Sequence, residues 1–98
     1  MDEYNSVVVP ILKWLNSLSN CKAINIHGGI FSQRGTPDII GTFRGRTFTF
    51  ECKIGAGIPS RQQKLRVRQW KNAGAVSHVV YSLEEVKEIF RKEMDYYE

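Results

Sequence analysis

Two alternating strands meet at Arg44-Gly45, and the turn between them sets much of what this chain can become. Gly45 supplies the positive φ that a two-residue hairpin turn needs, while Arg44 is a less favoured partner for it. With those two residues at the turn, Phe43 faces Arg46 and, further down the ladder, Asp38 faces Glu51. Side chains alternate along a strand, so the register sorts the hairpin into two unlike faces. Ile39, Gly41, Phe43, Phe48, Phe50 and Cys52 form one that belongs in a core. Asp38, Ile40, Thr42, Thr47, Thr49, Glu51 and Lys53 form the other, which is mostly polar.

That polar face carries the chemistry. Carboxylates opposite one another on an antiparallel pair sit roughly 4.5–5.5 Å apart at Cβ and repel unless a proton or a cation lies between them. A hard divalent cation such as Mg²⁺ takes oxygen ligands and is commonly held by one or two carboxylates together with water and phosphate. Lys53, two residues beyond Glu51 and on its side, could orient a water or offset charge building on a phosphate. The bland alternative is a solvated salt-bridge cluster at a hairpin end.

The remaining elements follow from periodicity. Val7, Val8, Ile11, Leu12, Leu15 and Leu18 make one helical stripe over residues 2–18, with Pro10 demanding a kink or a start near Val9. Residues 23–27 alternate as a short strand, ending at His27, which is more simply a hydrogen-bonded strand-end histidine than a catalytic one. A polar loop over residues 28–36 precedes Asp38, and there Ser32 and above all Arg34 are candidates to touch a phosphate backbone. Ser60 followed by Gln63 is a capping box opening a helix whose apolar side is Leu65, Trp70 and Val67 and whose C′ residue is Gly74. Residues 76–81 form an apolar strand expected to pair in parallel with the strand ending at Lys53. Ser82 and Glu85 make a second capping box, Val86, Ile89 and Phe90 face inward, and residues 94–98 are expected to fray.

Gly-x-Pro-Asp ending at Asp38, then Glu51-x-Lys53 in an aromatic strand, resembles the PD-(D/E)XK nuclease signature. With Ser60-x-x-Gln63 opening a helix and Gly74 closing it, the pattern resembles the viral-type replication–repair nuclease (VRR-NUC) family over nearly the whole chain. Cys52 departs from it, since a small aliphatic residue is more usual there. The resemblance implies one domain over residues 1–98, α/β and restriction-endonuclease-like, of order α-β-β-β-α-β-α with a mixed sheet. It implies a structure-selective DNA endonuclease using Mg²⁺, with Mn²⁺ as substitute. Asp38, Glu51 and the Cys52 carbonyl would bind metal, Lys53 would position the attacking water and Gln63 would support it. Glu3 would reach the metal site from the first helix, although Asp2 and Glu3 also suit the positive end of that helix.

Charge is consistent with such a partner. The net charge is +4, and Arg61, Lys64, Arg66, Arg68 and Lys71 crowd one segment; Arg61, Lys64, Arg66 and Arg68 are the expected DNA contacts. Stand-alone members of the resembled family imply a homodimer acting on branched DNA such as four-way junctions. Flap, nick or duplex substrates, a required partner protein, and a non-catalytic DNA-binding module remain open. Ile30, Phe31, Trp14, Tyr96 and Tyr97 are left without an inward role and are candidates for a dimer surface. No apolar run approaches a membrane span, the N-terminal residues carry no secretory pattern, and Cys21 and Cys52 read as free thiols, so a cytoplasmic setting is expected.

Overall fold

The computed structural model describes residues 2–26 and 36–97. A π-helical turn over Tyr4–Val8 runs into α1 (Val9–Ser17), followed by β1 (Cys21–Asn25), β2 (Ile39–Phe43), β3 (Arg46–Cys52), α2 (Arg61–Asn72), β4 (Val76–Val80) and α3 (Leu83–Glu93). The result is an α/β domain whose four strands form one mixed sheet in the order β1-β2-β3-β4. β1, β2 and β3 are antiparallel, while β4 runs parallel to β3 after the α2 crossover, as expected. The helix-and-strand order is the one expected. Among the described residues, no helix is long and apolar enough to cross a membrane.

The hairpin register is the one read from the turn: Phe43 pairs with Arg46 and Ile39 with Phe50. Arg44 and Gly45 both take positive φ, at 50° and 86°, so Arg44 accepts a backbone that glycine or asparagine would adopt more easily. Gly41 is required for another reason. A Cβ there would lie 2.5 Å from the Phe48 ring, which covers it across the ladder. Phe48 then packs against Phe50 and Phe90. Val7, Val8, Ile11 and Leu15 from the first helical stretch and Val86 and Phe90 from α3 bury themselves on this aromatic face.

α2 lies on the opposite face, against β3 and β4. Beneath it Thr49 Oγ1 donates to Ser77 Oγ at 2.6 Å, so two buried hydroxyls satisfy each other. At the outer edge of β1, Asn16 side-chain amide groups pair with both the N–H and C=O of Ala23, at 2.9 and 3.0 Å. The side chain takes the place of a neighbouring strand at that residue and blunts the edge.

Several expectations are corrected. β1 is shifted two residues towards the N-terminus, because Asn25 and Ile26 are drawn to the Asp38 carbonyl and the ladder with β2 ends there. The Pro10 problem is solved by the π-helical turn: the Val9 N–H reaches back to the Tyr4 carbonyl, and Pro10 falls in the first turn of α1, where no donor is needed. Residues 94–97 do not splay away. Asp95 takes positive φ, the Tyr96 N–H donates to the Phe90 carbonyl, and Met94 is buried. Tyr96 and Trp14, expected on a free surface, meet edge to face at 5.6 Å. Tyr97 is exposed, and Ile30 and Phe31 lie outside the described residues. Only half of the second capping box forms, since the Glu85 carboxylate accepts from Tyr81 N–H and the Ser82 hydroxyl, not from the Ser82 N–H.

Candidate active site

Asp38 sits just before β2, held from both sides. Its carbonyl accepts the Ile26 N–H at 2.7 Å and the Asn25 side-chain amide at 2.8 Å. Its carboxylate Oδ2 accepts the Cys52 N–H at 2.7 Å. Asp38 therefore spans from the end of β1 to the end of β3, and the Cys52 peptide is fixed beside it. Asn25 was not singled out from the sequence, since its partner lies in another strand and nothing local marks it.

Glu51 projects to the α2 side and is 3 % exposed. One of its oxygens, Oε2, receives the Gln63 amide at 2.6 Å and lies 3.7 Å from Lys53 Nζ. The other, Oε1, is buried and without a hydrogen-bond partner among the described residues. Burial pushes the Glu51 carboxyl up to about 8, helped by the nearby Asp38 charge and opposed by Lys53. Burial and a like charge both disfavour the ionised form, so without a cation Glu51 holds its proton into the neutral range. The solvated salt-bridge alternative does not describe a carboxylate this deeply covered.

Gln63 joins two structures. Its side-chain oxygen accepts the Ser60 N–H at 2.7 Å while its own N–H donates to Ser60 Oγ at 3.1 Å, completing the expected capping box. Fixing the amide oxygen on Ser60 turns its NH₂ group towards Glu51. The segment that delivers Gln63 is tied down by the Gly57 N–H to the Ile54 carbonyl and by the Tyr81 hydroxyl to the Gly57 carbonyl, both at 2.9 Å. Tyr81 is a second contributor that the sequence did not mark.

Glu3 also reaches the neighbourhood. Burial raises its pKa, and the Asp38 charge raises it further while Lys53 lowers it. The Cys52 thiol, on the core face, is pushed up by burial and then by Asp38, Glu51 and Glu3. Even so, among the described residues no group of three or more His, Cys, Asp or Glu side chains is arranged to hold a metal ion. The donors that converge are the Asp38 and Glu51 carboxylates, with Glu51 Oε1 unmatched. That set fits a cation that keeps most of its shell for water and substrate, as Mg²⁺ does, better than one needing a full protein cage.

The expected nucleic-acid contacts separate. Arg61, Lys64 and Arg68 line one depression of about 400 Å³ together with Leu65. Arg66 lies on another flank of α2 and donates to Gln69 Oε1 at 2.7 Å. Leu65, expected inward, is 47 % exposed. Ser32, Arg34 and His27 lie outside the described residues. Comparison with protein-family models and with curated proteins finds no match for this chain.

Proposed function

We propose that this chain is a Mg²⁺-dependent DNA endonuclease with a restriction-endonuclease-like core, related to the VRR-NUC pattern and acting on branched DNA. The observation that carries the proposal is Glu51: a carboxylate 3 % exposed, with one oxygen unmatched, set beside Asp38 and reached by Lys53 and Gln63. Burying a charge beside a like charge is costly, and a fold without use for the arrangement would gain by an amide at either position.

Asp38, Glu51 and the Cys52 carbonyl would hold the cation, with Glu3 a further carboxylate nearby. Bound there, it would supply Lewis-acid polarisation and charge neutralisation at a phosphodiester. The chain's own residues do the rest. Lys53 presents an ammonium where negative charge builds on the phosphate oxygens as water attacks phosphorus and the sugar oxygen departs. Gln63 holds Glu51 in one rotamer, so its free oxygen faces the reacting group. Asn25 and Ile26 keep Asp38 from following strand fraying.

A non-catalytic DNA-binding module is the second reading, favoured by the incomplete carboxylate set among the described residues. Purified protein incubated with a four-way junction, a flap and a linear duplex, with and without Mg²⁺, separates the two. Metal-dependent cleavage, fastest on the junction, is expected. Binding without cleavage on all three substrates, in Mg²⁺ and in Mn²⁺, would overturn the nuclease. A homodimer is proposed with it, since a two-fold assembly presents two sites to two equivalent strands. Sedimentation equilibrium giving only an 11.3 kDa species for the free protein, and one such chain per complex on junction DNA, would remove the dimer.

A further inference from the structure

α2 carries cations in an arrangement that helix stability opposes. At about 100° per residue, Arg61, Lys64, Arg68 and Lys71 fall within an arc of roughly 80°, and Arg66 falls on the far side of the helix. Three of the four, Arg61, Lys64 and Arg68, line the same depression with Leu65. Among the described residues none of these four cations has an ion-pair or hydrogen-bond partner, whereas the ion pairs of α3 tie up Lys87, Arg91 and Lys92. Their spacing makes three like-charged neighbours at i,i+3 or i,i+4, each unfavourable by roughly 0.2–0.5 kcal/mol. Arg61 also stands in the first turn, at the positive end of the helix dipole, with no acidic residue there to offset it. A row of mutually repelling, unpaired cations that the fold does not use calls for an anion from outside.

The geometry of α2 says what kind. Gln63 pins the first turn of α2 to Glu51, so the row begins in the same helical turn, on the exposed face, and runs away from the carboxylates. From Arg61 to Lys71 the row is about 15 Å long at 1.5 Å per residue. The 3.4 Å rise per phosphate is measured along the duplex axis, and phosphates of one strand lie about twice as far apart along the backbone, so the row runs beside about two or three of them. A small anion would need convergent donors; a linear row suits a linear polyanion.

We propose that Arg61, Lys64, Arg68 and Lys71 form a backbone track that takes about two or three successive phosphates of one strand, leading away from the carboxylate pair on one side only. This rests on the nucleic-acid reading above but not on cleavage. The test is fluorescence anisotropy of metal-free protein on a duplex and a four-way junction across a salt series, comparing wild type with Arg61→Gln/Lys64→Gln/Arg68→Gln/Lys71→Gln and with Arg66→Gln. Two or three lost phosphate contacts should reduce the slope of log K against log salt by about 2 to 3. The same variant should melt no lower than wild type, because like-charge repulsion is removed, and Arg66→Gln should leave the slope within half a unit. Should the quadruple variant not fold, Lys64→Gln and Arg68→Gln separately should each remove about 0.9 from the slope. A quadruple-variant slope within one unit of wild type overturns the track, as does equally tight, equally track-dependent binding to heparin or to anionic lipid vesicles. Absence of cleavage with the slope change intact removes the nuclease and leaves the track. Cleavage with the slope unchanged does the reverse.

Discussion

Both α2 and α3 begin with a serine whose hydroxyl accepts the N–H three residues on, Ser60 from Gln63 and Ser82 from Glu85, and beyond that turn they share little. α3 places Glu84 and Glu85 in its first turn and Arg91 and Lys92 in its last, each at the end the helix dipole favours. Glu84, Lys87, Glu88, Arg91 and Lys92 are paired within the helix; Arg91 and Lys92 hold the Glu88 carboxyl below its usual range. It buries Val86 and Phe90 completely. α2 has no buried residue and no acidic side chain in its first turn, and its row of cations is unpaired among the described residues. A polar hydrogen bond to Glu51 ties its first turn to the sheet. One helix obeys every rule of stability. The other departs from them along its exposed face, starting from the turn that Gln63 ties to Glu51, and such local conflicts gather where function is served.

The largest effect that should follow is structural and belongs to α3. Phe90 contacts Phe43, Phe48, Trp14 and Tyr96, so Phe90→Ala should cost about 3–5 kcal/mol. Chemical denaturation measures it. A loss under about 1 kcal/mol would show that α3 is not the element that closes the core.

At the root of α2 the sign reverses. Glu51 has a folded-state pKa of about 8 against an ordinary value of 4.5, so the native state holds a proton that the unfolded chain has released. Stability from this group is complete below about pH 4.5, declines as pH rises, and is gone above about pH 8. Glu51→Gln carries no such proton. Its stability should therefore gain on wild type steadily across that window, by up to a few kcal/mol, while cleavage is lost. Saturating Mg²⁺ should flatten the wild-type decline if Asp38 and Glu51 hold it, because its charge would then offset theirs as the proton does. Parallel pH profiles for the two proteins would show that Glu51 is not the group responsible.

Much of this site could be seen in the sequence, and the part that could not has a physical cause. Hairpin register is a local property: a two-residue turn and a period of two fix every pairing from Phe43–Arg46 to Ile39–Phe50. Capping is local too, and Ser60–Gln63 behaves as its spacing says. What lay beyond reach was how deeply the polar face is covered. Thr49 and Glu51 alternate like solvent-facing residues, yet α2 lies over them, and nothing in the strand foretells that. The C-terminal residues were unreadable for a similar reason. Their return onto Trp14 and Phe43 depends on one left-handed residue, Asp95, that has no strong sequence mark.

Gln63 tests whether α2 is attached by its polar contact or only by its neighbours. Gln63→Ala removes the amide on Glu51 and half of the capping box, at about 1 kcal/mol for the cap, and should lower cleavage far more than stability. Gln63→Glu keeps the cap acceptor but sets a third carboxylate against Glu51 and Asp38. It should need more Mg²⁺ for half-maximal rate than wild type. Equal Mg²⁺ dependence would mean that the residue at position 63 does not face the carboxylates during turnover.

The smallest effect is also the cleanest comparison, because the two caps are alike in chemistry and differ only in what they hold. Ser60→Ala and Ser82→Ala each remove one hydroxyl acceptor from a helix N-terminus, and each should cost about 1 kcal/mol. Their consequences for activity should part. At Ser82 the lost bond affects only α3, whose inward face is fixed by Phe90 and Val86 regardless. At Ser60 the same loss loosens the turn in which the Gln63 oxygen accepts the Ser60 N–H, and with it the amide aimed at Glu51. Cleavage by Ser60→Ala should therefore fall several-fold below that of Ser82→Ala at matched stability, with the binding salt slope unchanged because the cations of α2 are untouched. Equal rates for the two variants would mean that Glu51 keeps its orientation without the cap, and that Gln63 reaches it through the packing of α2 alone.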